Sequence, residues 1–274
     1  MNKLAARRTR NLVILIAVTL VLVIVISLNS AALRNPARLS GWLLLGLIVF
    51  LAAYNVRKKL PFIPLGSSST WLQFHIYVGL LTAAIFGAHI QWRIPDGAFE
   101  IILAILYCLV FGSGVVGLFL SRSFARRLTT RGDEVMFERI PVHRRRLQNE
   151  AETLVLDFLA ESKSSAVAQF YADRLEPFFA KTRHFWQHLA QSRRPRVALL
   201  SEISSYERFL NESERETMRQ LAGHVERKDD LDYQFALQAT LKYWLFGHIP
   251  LTYALLVFAA FHSLLVLAYS GGGQ

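Results

Sequence analysis

Five long apolar blocks constrain the fold of this chain more than any other feature of its sequence. They comprise residues 12–28, 41–56, 71–92, 98–120 and 243–269. At a helical rise of about 1.5 Å per residue, each is about long enough to cross a hydrocarbon core of roughly 30 Å, the second only marginally. The apolar residues are continuous rather than alternating, and lipid admits only helices or closed barrels. The sequence therefore predicts an all-α, polytopic membrane helix bundle with five spans.

The first block follows a basic leader, residues 1–11, an arrangement that secretory signal peptides share. Its apolar run is long for a signal peptide, and no clear cleavage motif of small residues follows it. We therefore expect the first block to be retained as a membrane anchor.

The distribution of Lys and Arg predicts the orientation of the spans, because cytoplasmic loops carry the excess of these residues. With the N-terminus inside, the short cytoplasmic flanks hold eleven basic residues: Lys3, Arg7, Arg8, Arg10, Arg57, Lys58, Lys59, Arg122, Arg126, Arg127 and Arg131. The outer loops hold three: Arg34, Arg38 and Arg93. The excess indicates orientation rather than nucleic-acid binding. We expect a multi-pass protein of the bacterial inner membrane, with a cytoplasmic N-terminus and a periplasmic C-terminus.

The polar stretch between the fourth and fifth blocks, residues 122–242, predicts a separate domain. It holds 18 of the chain's 20 acidic residues beside 21 basic ones, which is the balance of an ordinary soluble surface. Its apolar periodicity is helical. Asn211, followed three residues later by Glu214, has the pattern of a capping box, and Asp229 with Asp230 could cap a last helix.

These patterns divide the chain into three parts. Residues 1–121 form the first four membrane helices, residues 122–242 form a helical cytoplasmic domain inserted between spans four and five, and residues 243–274 form the fifth helix and a short periplasmic tail. The inserted domain could dock a cytoplasmic partner or brace the membrane helices.

Four of the eight histidines lie in the predicted spans, in two pairs of equal spacing. His75 and His89 are 14 residues apart in the third block, and His248 and His262 are 14 apart in the fifth. Fourteen residues fall about 40° short of four helical turns, so each pair shares one face, with its members about 21 Å apart along the axis. The two helices run in the same direction, which puts His75 level with His248 on the cytoplasmic side and His89 level with His262 on the outer side.

Two histidines that face each other at one level can bind a haem iron from both sides. The sequence therefore predicts two b-type haems, one held by His75 and His248 and the other by His89 and His262. Single histidines in membrane helices more often serve core hydrogen bonding, a pore or a proton relay. A histidine-based proton or metal transporter therefore stays open as an alternative, as does a non-redox scaffold or assembly subunit.

The histidine pairs on the third and fifth of a set of membrane helices resemble the ferric reductase-like and NADPH-oxidase-type transmembrane domain, within the wider class of dihaem membrane cytochromes b. The segment that begins at Lys228 and enters the fifth block is similar to bacterial b-type cytochrome-like membrane proteins associated with c-type cytochromes. The resemblance implies electron transfer across the membrane. The partners it implies are the quinone pool and a periplasmic c-type cytochrome or other redox subunit.

The chain departs from the oxidase pattern in its missing dehydrogenase part. It has no GxGxxG motif, so nothing indicates a dinucleotide-binding fold. Its single cysteine, Cys108, cannot by itself hold an iron–sulfur cluster or attach a c-type haem through CxxCH. We therefore expect an electron-transfer subunit of an oxidoreductase complex, with no catalytic residue of its own.

Charged residues near the predicted membrane surfaces supply further candidates. Haem propionates could meet Arg57, Arg122 and Lys242 on the cytoplasmic side and Arg93 on the outer side, although simple anchoring explains each one equally well. Asp96 and Glu100, just past His89, could accept protons from a quinol as it is oxidised. A solvated loop carboxylate is the simpler reading of both.

Overall fold

The computed structural model describes residues 3–31, 36–59, 67–129, 135–162 and 164–270. Every regular element in these ranges is helical. This confirms the prediction of an all-α protein as far as the described ranges extend.

Ten α-helices make up this part of the chain. They are α1 (Lys3–Ala31), α2 (Pro36–Lys59), α3 (Ser68–His89), α4 (Ala98–Leu128), α5 (Ile140–Ser162), α6 (Ala166–Phe170), α7 (Glu176–Ala180), α8 (Phe185–Leu189), α9 (Arg194–Tyr206) and α10 (Glu212–Ser270). A single 3₁₀ turn precedes α5 and another follows α9, and a π-helical turn joins α6 to α7.

Four of the described helices contain stretches long and apolar enough to cross a membrane: α1, α3, α4 and α10. In α2 the apolar stretch is shorter, Arg38–Tyr54. Many large apolar side chains on these helices are exposed in the structure; Val257, for example, is 66% exposed. Such surfaces suit contact with lipid rather than water. The number of five spans stays a prediction, as does the cytoplasmic position of residues 122–242.

The chain divides into two compact units. The first comprises residues 1–118 and 245–274, and the second comprises residues 119–244. The buried core of the first unit draws on four helices: Leu44 and Ile48 of α2, Leu81 and Ile85 of α3, Tyr107 of α4 and Leu255 of α10.

A chain of buried hydrogen bonds fixes α3 against α4 in this unit. The Tyr107 hydroxyl donates to Thr82 Oγ1 at 3.0 Å, and the Thr82 hydroxyl donates to the carbonyl of Gly79 at 2.7 Å. The Tyr107 ring also stacks on Phe86, with centroids 4.0 Å apart. The two helices are therefore held by polar contacts as well as by apolar packing.

The second unit has an apolar core of its own. Buried members of this core include Val155, Phe158, Val167, Leu175, Phe179, Ile203, Met218, Leu221 and Val225. They come from α5, α6, α9, the first turns of α10 and the segment between α6 and α8. Burial of these side chains accounts for a compact helical unit between the apolar stretches of α4 and α10.

The start of α10 confirms the predicted capping box. The Glu214 amide donates to Asn211 Oδ1 at 2.9 Å, and the Asn211 amide donates to Glu214 Oε2 at 2.8 Å. The prediction that Asp229 and Asp230 cap a later helix is wrong, because α10 passes through both without a break.

The two aspartates instead form contacts inside the second unit. Asp229 Oδ1 lies 3.6 Å from Nε2 of the buried His188, and Asp230 Oδ1 accepts a hydrogen bond from Arg196 at 3.2 Å. Asp230 in the middle of α10 is thus explained by its ion pair with Arg196, and Asp229 by its position beside His188, rather than by capping.

A buried lysine ties α10 to the loop after α7. Lys228 is fully buried, and its Nζ donates to Asp232 Oδ2 at 2.5 Å and to the Lys181 carbonyl at 2.7 Å. It lies in the polar part of α10, before the apolar stretch. Burial lowers the pKa of Lys228 to about 8, and the ion pair with Asp232 opposes that shift.

Candidate functional site

Helix α3 carries His75 and His89 on one unbroken helix. The Ser67 side chain caps its first turn by accepting a hydrogen bond from the Thr70 amide at 3.3 Å. The 14-residue separation places the two histidines about 21 Å apart along the helix axis.

His89 is the last residue of α3, which ends three residues earlier than the apolar block. Gln91 and Trp92 follow with φ of 52° and 56°, in the left-handed region that ends many helices. The Trp92 amide donates to the Gly87 carbonyl at 2.9 Å. These bonds end the helix, so His89 lies at the C-terminus of α3 rather than in its middle.

The structure brings His89 together with His262. Their ring centroids are 6.4 Å apart and their planes are nearly perpendicular, at 86°. Two metal–imidazole bonds of about 2 Å each, with half a ring added at either end, give about 6 Å between centroids. The spacing therefore suits one metal ion bound between the two rings.

Both rings line a cavity of about 600 Å³ in the first unit. This volume lies within the roughly 300–1,000 Å³ of typical cofactor and small-molecule sites. The cavity has apolar walls and a charged rim. The walls include Leu44, Ile48, Phe86, Leu103, Leu255 and Ala259, and the rim includes Arg38, Arg93, Asp96 and Glu100. Such a lining suits a mostly apolar ligand that carries a few charged or polar groups at one edge.

The His89 ring is held by two neighbouring residues of α2. Ser40 is fully buried, and its Oγ lies 3.2 Å from His89 Nδ1. Gly41 is so close to the ring that an added Cβ would lie 3.0 Å from His89 Cε1. The opposite histidine, His262, stacks on Phe99 of α4 at 6.2 Å.

For the predicted cytoplasmic-side pair, the structure describes the separate neighbours of each histidine. The His75 ring lies 5.2 Å from the Tyr54 ring of α2. His248 Nδ1 lies 2.7 Å from Ser113 Oγ of α4. A ligand pair at this level stays a prediction.

The charged candidates lie in different places. Arg93, Asp96 and Glu100 are at the rim of the cavity, with exposed side chains. The sequence assigns Arg38 only to the charges that orient the spans, but the structure places it at the rim as well. Arg38 lies two residues before Ser40, and this position points to the site only when α2 is packed against His89.

The three cytoplasmic-side candidates show no common site. Arg57 lies in α2, but its side chain is outside the described part of the structure. Arg122 is exposed on α4. Lys242 Nζ lies 2.8 Å from Glu138 Oε1, and the hydrogen bond from Lys242 lowers the pKa of the Glu138 carboxyl. Lys242 also lies over the Phe137 ring.

The described residues contain no group of three or more His, Cys, Asp or Glu side chains that could hold a metal ion. A bis-histidine haem needs only two protein ligands, since the porphyrin supplies the other four. The donor chemistry of His89 and His262 therefore fits a haem, although it does not fit an ordinary all-protein metal site.

Comparisons of the chain with family models, with curated proteins and with solved structures found no match. The function is therefore inferred from the chemistry of the site itself.

Proposed function

We propose that this protein is a dihaem b-type cytochrome subunit that carries electrons across a membrane. The observation that supports this most is the spacing of the His89 and His262 rings, 6.4 Å apart, in a cavity of about 600 Å³ with a charged rim. The spacing, the volume and the lining each agree with a haem bound by two axial imidazoles.

The residues of the cavity have distinct roles in this proposal. His89 and His262 would hold the haem iron through their ring nitrogens, and the apolar walls would keep water away from it. Arg38 and Arg93 neutralise the propionates at the rim. Bound haem iron supplies one-electron chemistry, with a potential that depends on axial ligation and burial.

His75 and His248 bind the second haem at the cytoplasmic-side level. The same 14-residue spacing on α3 and α10 supports this assignment. Two haems at different depths between α3 and α10 would give an electron a route from one membrane surface to the other.

The proposed setting is the bacterial inner membrane, with α2 completing a set of five spans. The N-terminus is cytoplasmic, the C-terminus is periplasmic, and residues 122–242 form a cytoplasmic domain that docks a partner. The excess of Lys and Arg beside the predicted cytoplasmic ends supports this orientation. Arg57, Arg122 and Lys242 then lie on the side of the inner haem.

The proposed exchange is between the quinone pool and a periplasmic partner, a c-type cytochrome or another redox subunit. Asp96 and Glu100 at the cavity rim are placed to accept the protons that a quinol releases when it is oxidised. This part of the proposal depends on the resemblance to dihaem cytochromes b as well as on the site.

Spectra of the purified full-length protein test the proposal. We expect a b-type spectrum on dithionite reduction and about two haems per chain. His89→Ala and His262→Ala should each remove one and the same haem, whereas His143→Ala, at an exposed position of α5, should keep both. Absence of haem from the carefully purified wild type would exclude the proposal and favour a scaffold or a histidine-based transporter.

A further inference from the structure

Two Ser–Gly dipeptides in different helices each contact one of the four histidines. Ser40–Gly41 of α2 lies against His89 of α3. Ser113–Gly114 of α4 lies against His248 of α10. In both, the serine oxygen approaches Nδ1 and the glycine lies beside the ring. The two dipeptides are far apart in sequence, so the repetition is a property of the packed bundle.

The hydrogen bonds around Ser113 favour one of the two tautomers of His248. The Ser113 hydroxyl donates its one hydrogen to the Val110 carbonyl at 2.8 Å. With that hydrogen on the Val110 carbonyl, the Ser113 oxygen, 2.7 Å from His248 Nδ1, is placed to accept a hydrogen from that nitrogen. A neutral imidazole with hydrogen on Nδ1 has its lone pair on Nε2, the nitrogen then able to bind a metal.

Ser40 makes the corresponding contact at the outer level. Its Oγ is 3.2 Å from His89 Nδ1, and the residue is fully buried. If Nδ1 is the donor, the lone pair of His89 is again on Nε2. One histidine of each predicted pair therefore has a serine oxygen at Nδ1: His89 of α3 at the outer level and His248 of α10 at the inner level.

The glycines allow the ring to approach the helix that holds it. An added Cβ at Gly41 would lie 3.0 Å from His89 Cε1, whereas one at Gly114 would lie 3.8 Å from His248 Cε1. The first distance is too short for an unmoved ring, and the second is an ordinary contact. Gly41 thus permits the close approach without displacing the ring, and Gly114 is merely compatible with it.

We infer that Ser40–Gly41 and Ser113–Gly114 are two histidine seats, in which the serines are positioning residues that orient His89 and His248 for metal binding through Nε2. A bond from the second ring nitrogen of a ligating histidine fixes the tautomer and orientation of the ring. The identity of the bound group rests on the proposed function, but the tautomers and the serine contacts do not.

A plain structural role for the hydroxyls is the competing explanation. Ser and Thr in helices often donate to a carbonyl one turn earlier. Thr19 of α1 does this with Leu15 at 2.8 Å and serves as a matched control. If the seats were merely such bonds, removal of the Ser113 hydroxyl would have no more effect on His248 than removal of the Thr19 hydroxyl.

Nitrogen-15 NMR of the full-length protein, labelled in its histidine rings and reduced with dithionite, tests the seats. Low-spin ferrous haem is diamagnetic, so ring signals are observable with or without haem. We expect His248 to carry hydrogen on Nδ1 in the wild type. Ser113→Ala should shift that signal, Ser113→Thr should restore it, and Thr19→Val should leave it unchanged. Ser40→Ala should act on His89 in the same way.

Haem binding gives the second readout. Loss of a hydrogen-bond partner of a ligating histidine typically weakens metal binding about 10–100-fold, and we expect this for Ser113→Ala at the inner haem alone. An unchanged His248 signal in Ser113→Ala would overturn the inference even if two haems are present. A wild type without haem would overturn the proposed function, and the NMR signals would then decide the inference alone.

Discussion

At the scale of single residues, Gly41 lies directly against the His89 ring. A Cβ at this position would be 3.0 Å from Cε1, so the ring would have to move by a few tenths of an ångström to admit it. In the same helix, a Cβ at Gly46 would meet no described atom within 4 Å. The two glycines of α2 therefore differ in what an added methyl group would do.

We predict that Gly41→Ala displaces the His89 ring and removes the outer haem. Overpacking of this kind typically costs about 1–3 kcal/mol, which the ring would avoid by moving away from its ligand position. Haem content should fall from two toward one per chain in the reduced spectrum. Gly46→Ala is the control and should keep both haems, and equal haem loss in the two variants would contradict this reading of the Gly41 contact.

Single residues also show what the sequence could and could not predict. The four histidines stand out because the two members of each pair are near each other in sequence and share one helix. Ser40 and Ser113 do not, because they meet His89 and His248 across 49 and 135 residues. No local pattern encodes contacts that arise only when helices from distant segments pack.

At the scale of secondary-structure elements, most helices follow from local signals. Four of the five apolar blocks lie wholly in helices, and the third extends three residues past the end of α3. Helix α10 begins where the Asn211–Glu214 capping box predicts. The wrong prediction concerns side chains that make tertiary contacts. The sequence predicts Asp229 as a helix cap, whereas it lies within α10 beside His188.

We predict that Asn211→Ala destabilises the second unit by about 1 kcal/mol, as is typical when an N-cap side chain is lost. The loss arises because the Glu214 amide would no longer have the Asn211 oxygen as acceptor. Ser165, at the start of α6, makes no side-chain cap bond and is the matched control. Thermal unfolding of the full chain, followed by circular dichroism, should show a lower midpoint for Asn211→Ala and little change for Ser165→Ala.

The same capping box should make stability depend on pH. The Ser164 hydroxyl and then the Asn211 amide, both donating to Glu214, lower the pKa of this carboxyl below its ordinary 4.5. A carboxyl with a lowered folded-state pKa stabilises the fold above its unfolded-state pKa and loses that effect as pH falls through the folded-state value.

We therefore predict that the wild type unfolds at a higher temperature than Glu214→Gln at a pH of about 6, and that the difference shrinks as pH falls below about 4. Unfolding midpoints of both proteins across this range measure the effect. A difference that grows toward acid pH would show that the Glu214 carboxylate is not stabilising.

At the scale of the whole molecule, the sequence combines an apolar half with a net charge of +11. The structure accounts for the apolar half, with four described helices able to cross a membrane. The orientation of those helices depends on flanking charge.

We predict a cytoplasmic N-terminus and a periplasmic C-terminus, because eleven basic residues flank the spans on one side and three on the other. Green fluorescent protein should fluoresce when fused before Met1 and stay dark when fused after Gln274. Alkaline phosphatase fused after Gln274 should be active. Immunoblots control for expression, and the reverse pattern would contradict the orientation.

The serine contacts at His89 and His248 have a consequence for charge balance during redox cycling. A hydroxyl group remains neutral over the whole physiological pH range, whereas a carboxylate beside a ligating imidazole brings a negative charge and can exchange a proton. At these two ligands, under the proposed function, reduction of the iron draws no proton from the hydroxyl partner. The serine contacts should thus add no pH dependence of their own to electron movement, and proton exchange would be left to Asp96 and Glu100 at the charged rim of the outer cavity.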